Sequence, residues 1–247
     1  MNKLYSKIIA SIKQGLNESL LDDIYDDDPS GLETGDITEN LTEYSLVDLD
    51  LPSGTLWCDR NLGATDINDN GLLYQWGDTE GVIPGQRLCN KDTYKFRTDK
   101  NIFTKYKKKG VSVPLDLEDD AAYASSAGEL CIPTRVQFQE LIRCCKWKWE
   151  TNNGTSGYRI KSKRSSSSIF LPAADKVGGY SSSNTNGSKY GFYWTNELYD
   201  KDTYRIPSSC FAYILYFSDD TKYSSEKPHI SSSYRAFGIH IRAVSNK

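Results

Sequence analysis

The chain has 247 residues, enough for one large domain or two small ones, with 38% hydrophobic and 12% aromatic content that includes 17 Tyr and 5 Trp. Few aliphatics and many aromatics suit a loop-rich fold whose core is built on large flat side chains. A formal net charge of −3 argues against nucleic acid as the main partner.

The charge is unevenly spread. Residues 1–45 carry a net −7 and residues 46–247 a net +4, which points to two parts with different jobs. In the first part Leu4, Ile8, Ile12, Leu16 and Leu20 recur every fourth residue, a stripe that predicts an amphipathic helix within residues 1–25. Lys3, Lys7 and Lys13 interrupt it, and its longest apolar run is Ile8-Ile9-Ala10. A signal peptide needs about 7–15 unbroken apolar residues and a membrane helix about 20, so neither is expected. A lone helix of this length is marginal in water and needs a surface to pack on. It is expected to dock on another protein, with its own domain as the alternative surface. An acidic linker over 26–45 follows, opening with Asp26-Asp27-Asp28-Pro29.

The body, 46–247, has one clear helical pattern. Thr134 is a plausible N-cap after Pro133, and apolar residues follow at 138, 141, 142 and 145. Short apolar runs at 157–160, 168–171, 192–195, 211–217 and 238–244 predict strands. Asn152-Asn153-Gly154, Gly178-Gly179, 181–186 and Ser231–Ser233 predict turns and loops. The expected class is α+β, with short antiparallel strands, one or two helices and long loops. Loop content of this kind in a compact domain signals a binding surface.

Six cysteines at 58, 89, 131, 144, 145 and 210 include no C-x-x-C pair and no histidine at zinc-finger spacing. Reduced, largely buried thiols are expected, with disulfides left open for an exported protein. His229 and His240 have no recognisable nucleophile motif beside them. Asp119-Asp120 and Asp219-Asp220 read as turn residues or a helix lead-in, or as contributors to a calcium site; the EF-hand pattern is absent. No cofactor and no metal site is expected. The run Lys105-Tyr106-Lys107-Lys108-Lys109 reads as a solvated loop.

Several landmarks stand in a fixed order: Leu51-Pro52-Ser53-Gly54-Thr55-Leu56-Trp57, Tyr74–Thr79, Leu117–Ala122, Ile132-Pro133-Thr134, Phe170–Ala174, Tyr193-Trp194-Thr195 and Phe237–Val244. Together they resemble the Fibrobacter succinogenes major paralogous domain, found in gut Bacteroidetes and their phages, over roughly residues 46–245. That group is similar to the C-type-lectin-like fold of formylglycine-generating enzymes and of the variable proteins of diversity-generating retroelements.

The resemblance implies a C-type-lectin-like domain. The enzymes of the group use two neighbouring cysteines late in the chain to hold copper, whereas the last third of this chain has only Cys210. The catalytic pair does not carry over, and a non-enzymatic chain is expected, with a formylglycine-type oxidase as a remote alternative. In the lectin-like variable proteins the residues after the Tyr-Trp-Ser/Thr motif are exposed on a scaffold of buried aromatics. By that resemblance Trp194, Ala212, Leu215, Phe217, Phe237 and Gly238 are scaffold. Between them lies the expected ligand-binding surface, Thr195, Asn196, Glu197, Tyr199, Asp219, Lys222, Tyr223, Ser225, Ser231 and Tyr234. Tyr gives contact area for few rotors, and Ser gives adaptable hydrogen bonds.

The expected protein is therefore a phage structural protein, made in the host cytoplasm and carried on the virion as a head fibre, decoration or tail-associated receptor binder. Its partners are expected to be virion proteins through residues 1–25 and a host surface glycan or protein. It is expected to be a homo-oligomer, a trimer being one form, without nucleic-acid or membrane partners. The alternative is a bacterial cell-surface adhesin.

Overall fold

The computed structural model describes residues 44–86, 89–98, 102–174, 176–177, 189–201, 206–219 and 227–246. The stripe Leu4, Ile8, Ile12, Leu16 and Leu20, the linker up to residue 43, the turn segment 178–186 and the surface candidates Lys222, Tyr223 and Ser225 lie outside the described residues. Among the described residues, nine strands form three small antiparallel sheets with two short α-helices between them. None of the described helices is long and apolar enough to cross a membrane.

In the first sheet β1 (Leu46–Asp48) and β9 (Val244–Ser245) flank β2 (Leu56–Cys58), with Val47 opposite Trp57 and Trp57 opposite Val244. The turn between β1 and β2 explains the Leu-Pro-Ser-Gly landmark. Gly54 donates its N–H to Leu51 O at 2.9 Å and takes φ +71°, while Pro52 sits where its fixed φ suits the second turn position. Ser53 then donates its backbone N–H (3.0 Å) and its hydroxyl to the carboxylate of Glu140. The turn is thereby clipped to a helix 87 residues further along the chain.

The two helices are α1 (Ala121–Ser125) and α2 (Arg135–Cys144), and α2 is capped as the sequence predicts. Thr134 Oγ1 accepts from Gln137 N at 3.2 Å, and Gln137 Oε1 accepts from Thr134 N at 2.8 Å, a reciprocal capping box. Phe138 and Leu141 turn inward and are fully buried, Phe138 with its ring 5.2 Å from that of Trp57. Asp120 caps α1 through Ala122 N and Tyr123 N. A third donor, Ile132 N at 2.9 Å, reaches its other oxygen.

The second sheet is the meander β3 (Cys145–Asn152), β4 (Thr155–Ser162) and β5 (Ser168–Pro172). Asn153 and Gly154 join β3 to β4 with φ of +47° and +81°, the left-handed pair that a two-residue hairpin needs. Along β3 exposed Lys146 and Lys148 alternate with Trp147 and Trp149, whose rings meet Tyr158 edge-on at 5.5 and 5.1 Å. No strand was expected here: α2 passes straight into β3 with no turn residue to announce it.

The third sheet, β6 (Tyr190–Leu198), β7 (Phe211–Ser218) and β8 (His229–Tyr234), carries the Tyr-Trp-Thr landmark. Gly191 faces Phe217, and a Cβ there would lie 2.1 Å from a ring carbon, so the ring occupies the space of the missing side chain. Two expectations are corrected. Ser231–Ser233 is no loop but lies in β8, paired with β7, because backbone pairing outweighs the low strand propensity of serine. The stretch 238–244 is not one strand; isolated bridges at Gly238, Ile239 and His240 precede β9.

The landmarks meet in the core. Trp194 Nε1 donates to Tyr74 O at 2.7 Å, and Trp76 Nε1 donates to Thr195 O at 2.9 Å, so each tryptophan satisfies a carbonyl beside the other. Trp57, Trp76 and Trp194 are almost fully buried. Each stabilises the fold by roughly 2–3 kcal/mol through burial alone. Arg235 and Arg242 are also fully buried, which composition gives no reason to expect.

Candidate functional site

The β6–β7–β8 sheet ends in a row of aromatic rings. Tyr213 and Tyr199 meet at 4.9 Å, Tyr199 and Phe211 at 6.1 Å, Phe211 and Tyr234 at 4.4 Å, and Tyr234 and Phe237 at 5.4 Å. Alternation along the strand end sets this up. Ser233 and Arg235 turn inward and are buried, while Tyr234 between them turns outward, 37% exposed. Tyr213 lies at the buried end, its hydroxyl on Asp200 and Arg135 stacked on its ring at 4.5 Å. Burial and then the Asp200 carboxylate push its pKa up to about 12.

At the exposed end the row opens into a cleft of about 300 Å³. Two chain segments line it, one with Tyr234, Ala236 and Phe237 and a second with Asn90, Lys91, Asp92 and Arg97. The second group sits on the segment Cys89–Arg97, which Gln75 holds in place. Gln75 Nε2 donates to Asn90 O at 2.9 Å and to Ala236 O at 2.6 Å, tying both lining segments to the Tyr-Gln-Trp landmark. Behind the cleft Arg235 donates to Tyr106 O (3.2 Å) and Lys105 O (3.3 Å) and lies 3.7 Å above the Phe103 ring. A second cleft, about 340 Å³, is lined by Ile142, Trp147, Tyr158, Lys227 and Pro228 and offers a single charged group.

The expected surface is only partly realised. Thr195 is fully buried with its hydroxyl donated to Tyr213 O at 3.1 Å, so it is core and not surface. Glu197 is held internally: its carboxylate accepts from Arg135 N at 2.9 Å and Ser112 Oγ at 3.1 Å. Asn196 is half-buried, and its backbone bridges Leu115 and Pro133. Asp219 and Ser231 are both half-buried; Ser231 sits midway along the sheet opposite Ile214, and Asp219 lies at its other end. Asp219 follows the last residue of β7, whereas Tyr234 pairs with Phe211 at its first, a separation of roughly 26 Å along the strand. Among the described candidates, Tyr199 and Tyr234 alone fall in the aromatic row. Phe237, expected as buried scaffold, is half-buried and lines the cleft, while Trp194, Ala212, Leu215, Phe217 and Gly238 are buried. The residues missed by sequence reading are Asn90, Lys91, Asp92 and Arg97; no motif marks them, and chain folding alone brings them to Tyr234.

The remaining chemistry-bearing groups are engaged in the fold. All six cysteines are free thiols. Burial pushes Cys58 up to about 12 and Cys145 up to about 11, and raises Cys131 and Cys210 as well. A thiol held protonated is a poor nucleophile and a poor metal ligand. His240 is buried, its Nδ1 donating to Leu72 O at 3.1 Å, and burial depresses its pKa to about 4. His229 opens β8 instead of lying in a loop.

Among the described residues, Asp116, Glu118 and Asp119 bring three carboxylates together. Lys105 Nζ already lies among them, 2.6 Å from Asp116 and 2.8 Å from Glu118, and also touches Asp119. Burial opposes the Lys105 charge, but these three hydrogen bonds outweigh it and raise its pKa. The ammonium sits where a cation would. Lys105 is thus an ion-pair centre, not part of a solvated loop, whereas Lys107, Lys108 and Lys109 are exposed. Asp120 has both oxygens committed to backbone N–H groups and has none to offer calcium.

No family model matches the chain, and neither does any curated protein or solved structure.

Proposed function

We propose that residues 46–247 form a lectin-like recognition module without catalytic activity, which binds a surface saccharide in the Tyr234–Phe237 cleft. The observation that carries this reading is the cleft itself. Two adjoining aromatic rings line it together with Asn90, Lys91, Asp92 and Arg97. Sugars present C–H faces that pack on aromatic rings and hydroxyls that need short polar side chains, and this cleft offers both. The raised thiols and the buried, internally bonded His240 favour binding over catalysis.

The C-type-lectin-like fold is part of the proposal and rests on the ordered landmarks, whose tryptophans lock the core. So does the setting: a phage head fibre, decoration or tail-associated protein, docked on virion partners through residues 1–25 and displaying the cleft to the host surface as a homo-oligomer.

The test is binding of the full chain to a panel of immobilised bacterial surface polysaccharides, with the pair Y234A/F237A as the variant. The pair should lose binding while retaining most of the thermal stability. Unchanged binding by that variant, or no binding to any polysaccharide, overturns the reading. Mass spectrometry of purified virions tests the setting separately.

A further inference from the structure

We propose that the saccharide taken by this cleft is acidic, bearing a carboxylate or sulfate, and that Arg97 is the group that meets the acid. The inference rests on the saccharide-binding reading above and deepens it.

The charge around the cleft carries the inference. Lys91 and Arg97 line it with one carboxylate, Asp92, which lies 3.9 Å from Lys91 with both side chains exposed. An exposed pair at that distance is weak and screened by salt. Arg97 is different: among the described residues its guanidinium has no ion pair, it lies 5.5 Å above the Phe103 ring, and its Nε is buried without a hydrogen-bond partner. Arg235, fully buried behind the cleft, likewise has no carboxylate partner among the described residues, and its Nε is also unpartnered. Arg97 and Arg235 repel each other, and both, with Lys109, act on the thiol of Cys210. Two guanidinium groups so placed, neither with a carboxylate partner among the described residues, create a positive field that a bound anion would relieve.

Arginine suits that task because its planar fork can give a carboxylate or sulfate two parallel hydrogen bonds. The adjoining Tyr234 and Phe237 rings favour an acid carried on a pyranose ring over a bare anion or an acidic peptide, since they supply a face for the ring to stack on.

The test is calorimetric titration of the full chain with four probes: a hyaluronan hexasaccharide, the same oligosaccharide with its carboxylates reduced to alcohols, a chondroitin sulfate hexasaccharide, and a hexaglutamate peptide. The first should bind at least roughly tenfold more tightly than the carboxyl-reduced form, the advantage of one charge-assisted bidentate contact. R97Q should abolish that difference, weakening the acidic hexasaccharide far more than the neutral one. K91Q, on an exposed side chain, gives a second reading if R97Q fails to fold: it should weaken the acidic saccharides alone. The chondroitin sulfate probe carries the same glucuronate carboxylates plus sulfate and should bind at least as tightly as hyaluronan; binding no tighter than the carboxyl-reduced form overturns the acid preference. Equal binding of acidic and neutral oligosaccharides, lost in Y234A/F237A, overturns the acid preference and leaves the saccharide reading standing. Binding of hexaglutamate alone, or of no probe, overturns both.

Discussion

Arg242 and Asn61, 181 residues apart in the chain, are joined by two hydrogen bonds in the core, Nε and Nη2 of the arginine both donating to Asn61 Oδ1 at 3.0 and 2.8 Å. The remaining donors are spent on the carbonyls of Cys58, Asp59 and Phe170. One guanidinium thus connects the β2 end, the loop after it and β5 to the closing segment. Burial lowers its pKa, yet it keeps its place because nearly every donor is matched.

Replacing that arginine should be severe. R242M keeps much of the side-chain volume but leaves Asn61 Oδ1 and three carbonyls without their donor, each buried acceptor costing about 1–3 kcal/mol. A loss of at least about 3 kcal/mol is expected in urea unfolding. A loss below about 1 kcal/mol would show that water replaces the guanidinium and that the cradle is not a structural centre.

Trp194 and Phe237 stand in the same family of landmarks but in different environments. W194A removes a fully buried ring and the bond to Tyr74 O, so about 3–5 kcal/mol should be lost. F237A truncates a half-buried ring at the cleft and should cost about 1 kcal/mol. A thermal melt of each separates them. Equal losses would mean that Phe237 is scaffold after all.

His240 predicts a pH dependence with a definite sign. Its folded pKa is depressed to about 4 from 6.5, so between those values the unfolded chain binds a proton that the folded chain refuses. Stability is therefore lost as pH falls from 6.5 towards 4 and the loss levels off below, up to about 3 kcal/mol in all. H240N retains an N–H donor for Leu72 O and cannot titrate. It should flatten the acid limb of the stability curve, and an unchanged limb would assign that limb to carboxylates.

Cys210 tests the chemistry. Its thiol is half-buried and raised by burial, against the pull of Arg235, Arg97 and Lys109. C210S should cost about 1 kcal/mol and change no binding property. Copper bound by the native chain and lost in C210S would restore the oxidase reading.

What the sequence made legible was local. Thr134 and Gln137 sit three residues apart, and Asn153-Gly154 is a turn in itself, so α2 and the β3–β4 hairpin start from signals that need no distant partner. The tryptophans of the landmarks lie in the core because such rings are the largest apolar surfaces available. What stayed hidden was non-local. Ser231–Ser233 is a strand only because β7 lies beside it, and the cleft exists only because Gln75 holds Asn90 and Ala236 together. Thr195 and Glu197 look like surface by composition; the burial of one and the internal bonding of the other follow from Tyr213 and Arg135, which no local pattern couples to them.

The position of Tyr44 makes the anchor reading testable by truncation. Its hydroxyl accepts from Gly63 N at 2.8 Å, and Arg60 lies 4.8 Å over its ring, so Tyr44 belongs to the folded body. A chain starting at Thr42 keeps these contacts and should melt with the full-length protein while no longer entering virions. A chain starting at Ser45 loses them and should be less stable by about 1–2 kcal/mol. The comparison separates two roles for the acidic leader. Early melting of the Thr42 chain would mean that residues 1–41 pack into the body, and the striped helix would then be a core element and not an anchor.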